Sequence, residues 1–467
     1  MKLRKVFLLL LPVTLFGEAP NYQDHVLPIL KKHCNGCHNA DKKKAGLDLS
    51  SYTAAQLGSS GGEVIKIGLP DTSPLVLSIE HDEEYEPMPP KKPKIPDAEI
   101  QIIRQWIAGG LLEAIGGKSQ LREITFDVSS GSSARPDVPA FPKNLPTANL
   151  PITKFPSPIY ALASSPWADV IAAAGQERIN LYGSSENNGE HKFLGALPFP
   201  EGTIHDIRFS PNGKMLIVAG GKGAHSGYVV LYNVETGSRL AKIGNESDSI
   251  LSADISPNHE KIAIGTTTKK LKIFSTKDGK LLHTVDKHLD WVTAVRFSPN
   301  GKYLASADRN GGIHVREADT AGIVFELVEH KVRVTSLAWR PDSKMLASGA
   351  EDGKFVLWDM KDGWATRANP AHKQKAHTRY SRRTGIMDVA FTKDGNLITI
   401  GRDRSLMWWK PDGTSAGRIQ DLSALPLQAA PRFEGNVVFT GDMSGNLIAW
   451  DLEKKKQVQN FLQASSK

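Results

Sequence analysis

The sequence feature that most constrains the fold is a repeated unit that fills residues 151–467. Its turn prolines follow one another at intervals of 42 to 46 residues, at Pro166, Pro211, Pro257, Pro299 and Pro341. A typical unit has an alternating run such as VTAVRFSPNG, then small residues such as YLASADRNG, and in most copies a closing aromatic, as in FVLWD. The pattern predicts three or four short strands joined by tight turns. Such a unit cannot bury both faces of its sheet alone, so neighbouring units must stack.

Seven units can be counted, and this number favours a closed ring that leaves no long sheet edge exposed. Two units end in Trp-Asp, at Trp358–Asp359 and Trp450–Asp451. The repeats therefore resemble the WD40 family, in which each unit forms one blade of a β-propeller. For the fifth unit the resemblance implies a hydrogen-bonded set of four side chains, which are His330, Ser348, Asp352 and Trp358. The other units depart from this pattern; for example, two of them carry Arg316–Glu317 and Trp409–Lys410 where Trp-Asp would stand.

The sharpest chemical motif lies outside the repeats, at Cys34-Asn35-Gly36-Cys37-His38. Two thiols at this spacing can form thioether bonds with the two vinyl groups of a haem, and the adjacent imidazole can bind the iron. We therefore expect one covalently attached haem c, held by Cys34 and Cys37, with His38 as the proximal iron ligand. A local disulfide or a thioredoxin-like dithiol is the alternative, but it would need a βαβ context that is missing here. A zinc site would need a fourth ligand.

A second iron ligand is expected on the opposite side of such a haem. Met88 is the one methionine between residues 39 and 120, and the prolines around it in EYEPMPPKKPKIP hold the chain extended. His/Met ligation raises the reduction potential and fills both axial positions, which favours electron transfer over substrate binding. Met88 could instead be a packing or exposed residue. The rival ligands are His81, in an acidic loop, and the less favourable His33 and His25.

Five runs in this order make a resemblance specific: HVLPILKKHCNGCH, AGLDLSSY, GLPDTSPLVLSI, EPMPP and IQIIRQWIAGG. Residues 22–113 resemble the small class I cytochrome c domain of exported planctomycete and verrucomicrobial proteins, which is often fused to WD40 repeats. The resemblance implies a three-helix cytochrome c wrap with His38 as proximal and Met88 as distal ligand. It also implies that Trp106 packs the last helix near the haem, although Trp106 is equally readable as an ordinary core aromatic.

The N-terminus has the features of an export signal. Lys2, Arg4 and Lys5 precede the apolar run FLLLLPVTLF, which is too short to span a bilayer. We expect a signal peptide over 1–19, a periplasmic or otherwise exported protein, and no transmembrane segment apart from the signal sequence. An uncleaved anchor is the alternative.

Length and composition complete the domain organisation. A chain of 467 residues has room for two or three domains, and two cysteines exclude a disulfide scaffold. We predict a multidomain chain with a small all-α cytochrome c domain over 20–115 and a linker rich in Gly, Ser and Pro over 116–150. An all-β, seven-bladed WD40-like propeller follows over 151–467. The net charge is +8, but no basic helix or basic-aromatic stripe is present, so nucleic acid is not an expected partner.

These features predict an exported electron-transfer protein with one low-spin haem, whose propeller docks a redox partner or another protein. Lysines flank the two ligand loops, at 42–44 and at 91, 92 and 94, and they could steer an acidic redox partner if they are more than solvated loop residues. The insertion 365–385 carries His372, His377, Arg379, Arg382 and Arg383, and it reads either as an anion site or as a surface loop. The alternative function is a periplasmic oxidoreductase whose propeller holds a substrate or second cofactor. A non-redox interaction protein with a structural or sensing haem is a third.

Overall fold

The computed structural model describes residues 20–66, 70, 73–83, 85–114, 134–143, 145, 157–184, 190–372 and 384–461. The chain divides into two compact units, Met1–Glu123 and Ile124–Lys467. The expected signal peptide and most of the expected linker lie outside the described residues, as do four of the five basic residues named in the insertion. None of the described helices is long and apolar enough to cross a membrane.

The described part of the N-terminal unit is helical, as its sequence predicts. A π-helical turn, Tyr22–Val26, runs directly into α1 (Leu27–His33), and a 3-10 turn follows at Lys44–Gly46. The later helices are α2 (Tyr52–Leu57), α3 (Pro74–Glu80) and α4 (Asp97–Ala108). The resemblance implied three helices, whereas four α-helices are present in the described residues. Two of them, α2 and α3, are short.

Helix α4 shows how the sequence sets local structure. It begins at Asp97. The carboxylate of Asp97 does not cap the helix, and it pairs with Lys94 Nζ at 2.9 Å. Two acidic residues in the first turn, Asp97 and Glu99, favour the positive end of the helix dipole. The buried residues recur at helical spacing, at Ile100, Ile103, Trp106 and Ile107. The helix ends before Gly109 and Gly110.

The core of this unit ties its two ends together. The ring of Tyr22 lies 5.6 Å from the ring of Trp106 and 5.6 Å from that of Tyr52. The Tyr22 backbone N–H donates to the Leu112 carbonyl at 2.7 Å, so the first and last described segments of the unit are hydrogen-bonded. Burial of these large rings is the main stabilising contribution available to so small a core.

The C-terminal unit consists of seven four-stranded antiparallel sheets in the described residues, as the repeat count predicted. Each sheet uses four consecutive strands, with the first strand innermost, and the strands are β1 (Leu162–Ser164), β2 (Val170–Gly175), β3 (Arg178–Gly183), β4 (Lys192–Pro198), β5 (Thr203–Phe209), β6 (Met215–Lys222), β7 (Ser226–Asn233), β8 (Arg239–Glu246), β9 (Ile250–Ile255), β10 (Lys261–Thr266), β11 (Leu271–Ser275), β12 (Leu281–Val285), β13 (Val292–Phe297), β14 (Tyr303–Asp308), β15 (Ile313–Glu317), β16 (Ile323–Leu327), β17 (Val334–Trp339), β18 (Met345–Ala350), β19 (Phe355–Asp359), β20 (Ala365–Asn369), β21 (Ile386–Phe391), β22 (Leu397–Gly401), β23 (Ser405–Trp409), β24 (Ser415–Ile419), β25 (Pro426–Pro431), β26 (Val437–Asp442), β27 (Leu447–Asp451) and β28 (Lys456–Phe461). Each sheet is one blade, numbered 1 to 7 in chain order.

The ring closes by packing blade 7 against blade 1. Asp169 of blade 1 accepts hydrogen bonds from the Arg432 guanidinium at 2.6 and 2.9 Å. The amide of Gln459 on β28 exchanges hydrogen bonds with the backbone of His191 at 2.8 and 3.3 Å. Blade 7 has its four strands from residues 426–461, so the described blades close without a strand from the other end of the repeat region.

Buried carboxylates fasten neighbouring blades at the innermost strands. Asp206 Oδ2 accepts the Ala253 N–H of the next blade at 3.2 Å, and Asp254 Oδ2 accepts the Phe297 N–H at 2.7 Å. Asp388 Oδ2 likewise accepts the Ala429 N–H at 3.0 Å. Burial raises the pKa of all three carboxyls, that of Asp254 to about 7. These side chains are interblade ties that sequence patterning alone did not reveal.

The four-residue set predicted for blade 5 is present. The Trp358 indole N–H donates to Ser348 Oγ at 2.9 Å, and His330 Nε2 pairs with the same hydroxyl at 2.9 Å. Asp352 Oδ2 lies 3.7 Å from His330 Nδ1. The Ser348 hydroxyl thereby joins Trp358 and His330, whereas Asp352 lies at ion-pair rather than hydrogen-bond distance from His330 Nδ1.

Blade 6 contains a corresponding set that the sequence interpretation assigned differently. His372 is fully buried, and its Nδ1 and Nε2 lie 2.8 Å from Asp403 Oδ1 and 2.8 Å from Thr399 Oγ1. The Trp409 indole N–H donates to the same Thr399 hydroxyl at 3.0 Å. His372 is therefore a structural residue of blade 6, unlike the surface anion site considered for the insertion.

Candidate cofactor site

The cysteine motif forms one tight turn at the end of α1. Cys34 is the residue that ends the helix, and its N–H donates to the Leu30 carbonyl at 2.8 Å. The N–H groups of Cys37 and His38 both donate to the Cys34 carbonyl at 3.1 Å. Both thiols are free rather than joined in a disulfide. The turn therefore brings two free thiols and an imidazole into one short loop, which is the donor set that the spacing predicted.

The two thiols have different surroundings. Cys34 is half-buried and packs against the core of the N-terminal unit, and this burial raises the pKa of its thiol to about 11. Cys37 is exposed. An isolated thiol with such a raised pKa is a poor thiolate nucleophile, so this environment does not suit a dithiol redox catalyst of the thioredoxin type.

His38 is oriented by its backbone surroundings. Its Nδ1 lies 3.1 Å from the Lys44 carbonyl oxygen, and because a carbonyl only accepts, Nδ1 carries the proton in this bond. The Nε2 atom of a neutral His38 then keeps its lone pair for a metal. The His38 carbonyl also accepts the Leu49 N–H at 3.0 Å, which fixes the chain after the motif. The structure thus leaves His38 in the tautomer that an iron ligand requires.

Met88 lies in a loop that is hydrogen-bonded to the end of α3. Its N–H donates to the Ser78 carbonyl at 2.9 Å, and its own carbonyl oxygen lies 3.2 Å from His81 Nε2. His81 ends α3 in the left-handed conformation, with a φ of 62°. The Met88 side chain is half-buried and packs against the same core as Cys34. The core therefore brings the two predicted ligand loops to one hydrophobic cluster.

The three rival histidines already have partners. His81 is engaged with the Met88 carbonyl, and His33 Nε2 lies 2.7 Å from Glu99 Oε2. His25 Nδ1 accepts the Asn21 N–H at 3.2 Å. Sequence reasoning treated His81 as a competing ligand and missed its contact with the Met88 backbone. Its place seven residues before Met88, at the end of a helix, is the signal that could have suggested it.

Trp106 lies at the centre of the N-terminal core. Its side chain is fully buried, and the indole N–H donates to the Leu112 carbonyl at 3.0 Å. Trp106 is thus a core aromatic, which is one of its two interpretations from the sequence. Its expected contact with a haem stays a prediction.

Exposed lysines lie on both loops. Lys42, Lys43 and Lys44 follow the cysteine motif and are exposed, and the Lys42 ammonium donates to the Gly36 carbonyl at 2.8 Å. The lysines at 91, 92 and 94 follow Met88 and are exposed as well. Both ligand loops therefore carry positive charge that can attract an acidic partner.

The available side chains favour a haem over a metal ion that is bound by protein ligands alone. Across the described ranges, no three His, Cys, Asp or Glu side chains form a group that could bind a metal ion. The cysteine motif contributes two sulfurs and one imidazole, and the methionine that shares its core is a thioether. This combination fits a haem, which brings four nitrogen ligands of its own and needs only axial donors and thiols from the chain.

Comparison with family models agrees with this geometry. Residues 34–92 match the Planctomycete cytochrome C family, and this stretch contains Cys34, Cys37, His38 and Met88. Residues 279–316, 322–359 and 369–410 match the WD domain, G-beta repeat family. No curated protein matches the chain. The chain therefore combines a planctomycete-type cytochrome c segment with a seven-bladed WD40 propeller.

Proposed function

From this fusion of a cytochrome c segment with a WD40 propeller, we propose an exported electron-transfer protein with one covalently attached haem c. The observation that carries the proposal is the loop after α1. It holds two free thiols and an imidazole whose Nδ1 is bonded to the Lys44 carbonyl. In this proposal the propeller is the docking module, and the N-terminal 1–19 segment directs export.

Cys34 and Cys37 anchor the group. A haem supplies two vinyl groups and an iron that gains and loses one electron. Cys34 and Cys37 would hold the haem through thioether bonds, in which each S–H adds across one vinyl C=C. No oxidant is needed for this addition. The short turn fixes both sulfurs relative to His38, so anchoring and ligation come from one stretch of chain.

His38 and Met88 supply the axial donors. The Lys44 carbonyl keeps the His38 proton on Nδ1, which leaves Nε2 for the iron and strengthens its basicity. The hydrogen bonds from Met88 N–H to Ser78 and from His81 to the Met88 carbonyl hold the thioether loop in place. If His38 and Met88 both hold the iron, they would keep substrate from it, and the group would supply single-electron transfer.

The exposed lysines of both loops would select the redox partner of the N-terminal unit by its charge. An acidic redox protein would be steered toward them, and its association rate would fall as ionic strength rises. The partner donates or accepts one electron and is otherwise unchanged. This agrees with a protein whose predicted role is transfer rather than chemical conversion.

One observation favours a second candidate, an oxidoreductase whose propeller holds a substrate or second cofactor. A cavity of about 380 Å³ lies among the inner strands of the propeller and is lined in part by Trp167, Arg208 and Lys393. Arg208 is already paired with Asp206 at 3.2 Å, and Lys393 stands 5.4 Å above the Trp167 ring. A second chromophore in the purified protein would select this candidate.

The proposal is tested by producing the full chain in a host that matures c-type cytochromes. Intact mass and a haem-stained denaturing gel should show one haem that survives denaturation. Mixing the reduced protein with an acidic one-electron acceptor should oxidise the haem faster at low than at high salt. A protein that folds and exports without bound haem would refute the proposal.

A further inference from the structure

One face of the propeller carries an unusual set of side chains on three successive blades. The loops before β13, β17 and β21 and the turns after β14, β18 and β22 all open on this face, because these strands alternate in direction. The turn positions three residues after the buried hydroxyls Ser306, Ser348 and Thr399 hold Arg309, Glu351 and Arg402. The same three hydroxyls contact the blade histidines. These turn positions are therefore equivalent in the three blades.

The loop positions before the inner strands are equivalent too. Arg309 N–H donates to the Trp291 carbonyl at 2.9 Å, and Glu351 N–H donates to the Arg333 carbonyl at 3.0 Å. Arg402 N–H donates to the Gly385 carbonyl at 2.8 Å. Each blade thus places two neighbouring positions on this face, and in blades 4 to 6 these positions carry three arginines and a tryptophan. We call Trp291, Arg309, Arg333 and Arg402 the arginine arc.

Within the arc, the positive charges are only partly compensated. Arg402 Nη2 pairs with Glu351 Oε1 at 3.0 Å. Arg333 is exposed, and its guanidinium makes no ion pair or side-chain hydrogen bond with the described residues. Loss of hydration is the largest influence on the pKa of Arg333 and lowers it. The charge of Glu351 opposes this shift, and the smaller effects of Arg309 and Arg402 add to it. Among the described residues, the ion pair of the arc is the one between Glu351 and Arg402.

The arc also has an apolar side. The Arg309 guanidinium lies 5.0 Å from the centre of the Trp291 ring, which is 41% exposed. Leu289 and Val332 stand in the loops beside it, and they are 71% and 37% exposed. Exposed apolar side chains next to arginines are typical of protein interfaces, whereas phosphate-backbone binding gains nothing from them. This mixture favours a polypeptide as the occupant.

We propose that the arginine arc binds an acidic segment of a partner protein, rich in Asp and Glu, with Trp291 as the apolar anchor. The guanidinium groups of Arg309, Arg333 and Arg402 would pair with carboxylates spaced along the segment. This inference deepens the docking role of the propeller in the proposed function and rests on that role. It does not depend on haem attachment.

The test measures binding of a fluorescein-labelled peptide to the full chain by fluorescence anisotropy. The peptide contains six glutamates and a central phenylalanine, and a second peptide with six glutamines is the control. We expect the glutamate peptide to bind saturably and the glutamine peptide to bind at least about tenfold more weakly. Equal binding of the two peptides would overturn the proposal.

Matched variants locate the site. Arg333→Gln and Arg309→Gln should each weaken binding of the glutamate peptide about tenfold, the equivalent of one charge-assisted pair. Arg367→Gln removes the same charge from the exposed outer strand β20 of blade 5 and should leave binding within twofold. Loss of binding in all three variants alike would show attraction by net charge and contradict a site.

Two further measurements test whether the occupant is a polypeptide and distinguish failure of the arc proposal from failure of the electron-transfer proposal. Double-stranded DNA should not displace the glutamate peptide at equal charge concentration, and full displacement would contradict a polypeptide site. Haem content is measured on the same samples by absorbance. Binding without haem would support the arc while refuting the electron-transfer proposal, and haem without binding would do the reverse.

Discussion

The two units use histidine in opposite ways. In the N-terminal unit, His38 is half-exposed, and one ring nitrogen is bonded to a backbone carbonyl while the other is left available. In the propeller, His288 and His372 are buried, and both ring nitrogens of each contact neighbouring side chains. The proposed cofactor ligands therefore lie in the N-terminal unit, while these propeller histidines hold their own blades together. His38 therefore keeps one ring nitrogen that a metal could use, whereas His288 and His372 have none to spare.

The sharpest test of this comparison removes both thiols. In the variant with Cys34→Ala and Cys37→Ala, covalent haem should be lost completely, because no other cysteine exists in the chain. The propeller should keep its thermal transition within about 2 °C, since its blades make their own core contacts. Haem staining and calorimetry on the same preparation measure both effects. A haem-stained band in the variant would contradict the assignment.

The opposite variant targets a structural histidine. His372→Ala leaves Thr399 and Asp403 without their buried partner and opens a cavity, so we expect the propeller to lose about 2–4 kcal/mol of unfolding free energy. The haem spectrum should not change. Denaturant unfolding followed by circular dichroism measures the loss, and Lys361→Ala, at an exposed turn of the preceding blade, is the control. A propeller of unchanged stability would show that His372 is not a structural residue.

Buried carboxylates make the propeller sensitive to pH. Burial raises the pKa of Asp254 from its ordinary value of 3.8 to about 7. The folded state then holds this proton more tightly than the unfolded chain. The stabilisation is present at acidic pH and is lost as pH rises from about 4 to 7. We expect a melting temperature at pH 8 that is several degrees below that at pH 5.

Asp254→Asn should reduce that difference, because its amide oxygen can still accept the Phe297 N–H without a charge. Asp319→Asn, at an exposed position, is the matched control and should leave the pH profile unchanged. Differential scanning fluorimetry across the pH range measures both variants. The account of the interblade ties would be wrong if Asp254→Asn melted with the pH profile of the parent protein.

The smallest expected effect concerns the methionine loop. His81→Ala removes the side chain that contacts the Met88 carbonyl, so the thioether should be held less firmly. We expect the reduction potential to fall by up to about 60 mV, which is a tenfold change for one electron. His25→Ala, which lies on the π-helical turn, should leave the potential unchanged. An unchanged potential and spectrum in His81→Ala would leave that contact without a role in ligation.

The fold was largely predictable because its signals repeat. Seven copies of one strand pattern average out the ambiguity of any single copy, and the turn prolines mark the blade edges. The helices α2 and α3 give little sequence signal because they have six and seven residues, too few for a clear period. Packing of Ala55, Val76 and Ile79 into the core selects these helices, and that choice is not visible locally.

The candidate site also has parts that the sequence could predict and parts that it could not. Cys34, Cys37 and His38 follow from spacing, since covalent chemistry demands that order. The Lys44 carbonyl that orients His38 belongs to the backbone, which is the same for every residue type. The sequence therefore could not indicate this contact. Asp206, Asp254 and Asp388 read as ordinary strand residues, and their role as ties depends on the neighbouring blade. Residues 134–143, within the expected linker, include Ala140, which is buried against blades 1 and 2, a contact that composition could not suggest.

The central claim is that His38 and Met88 hold one low-spin haem attached through Cys34 and Cys37. The most direct measurement is the reduced-minus-oxidised absorption spectrum of the full chain beside that of Met88→Ala. The account predicts a c-type spectrum with a thioether–iron band in the parent protein, and loss of that band with covalent haem retained in the variant. Identical spectra for the two proteins would contradict the assignment of Met88 as the distal ligand.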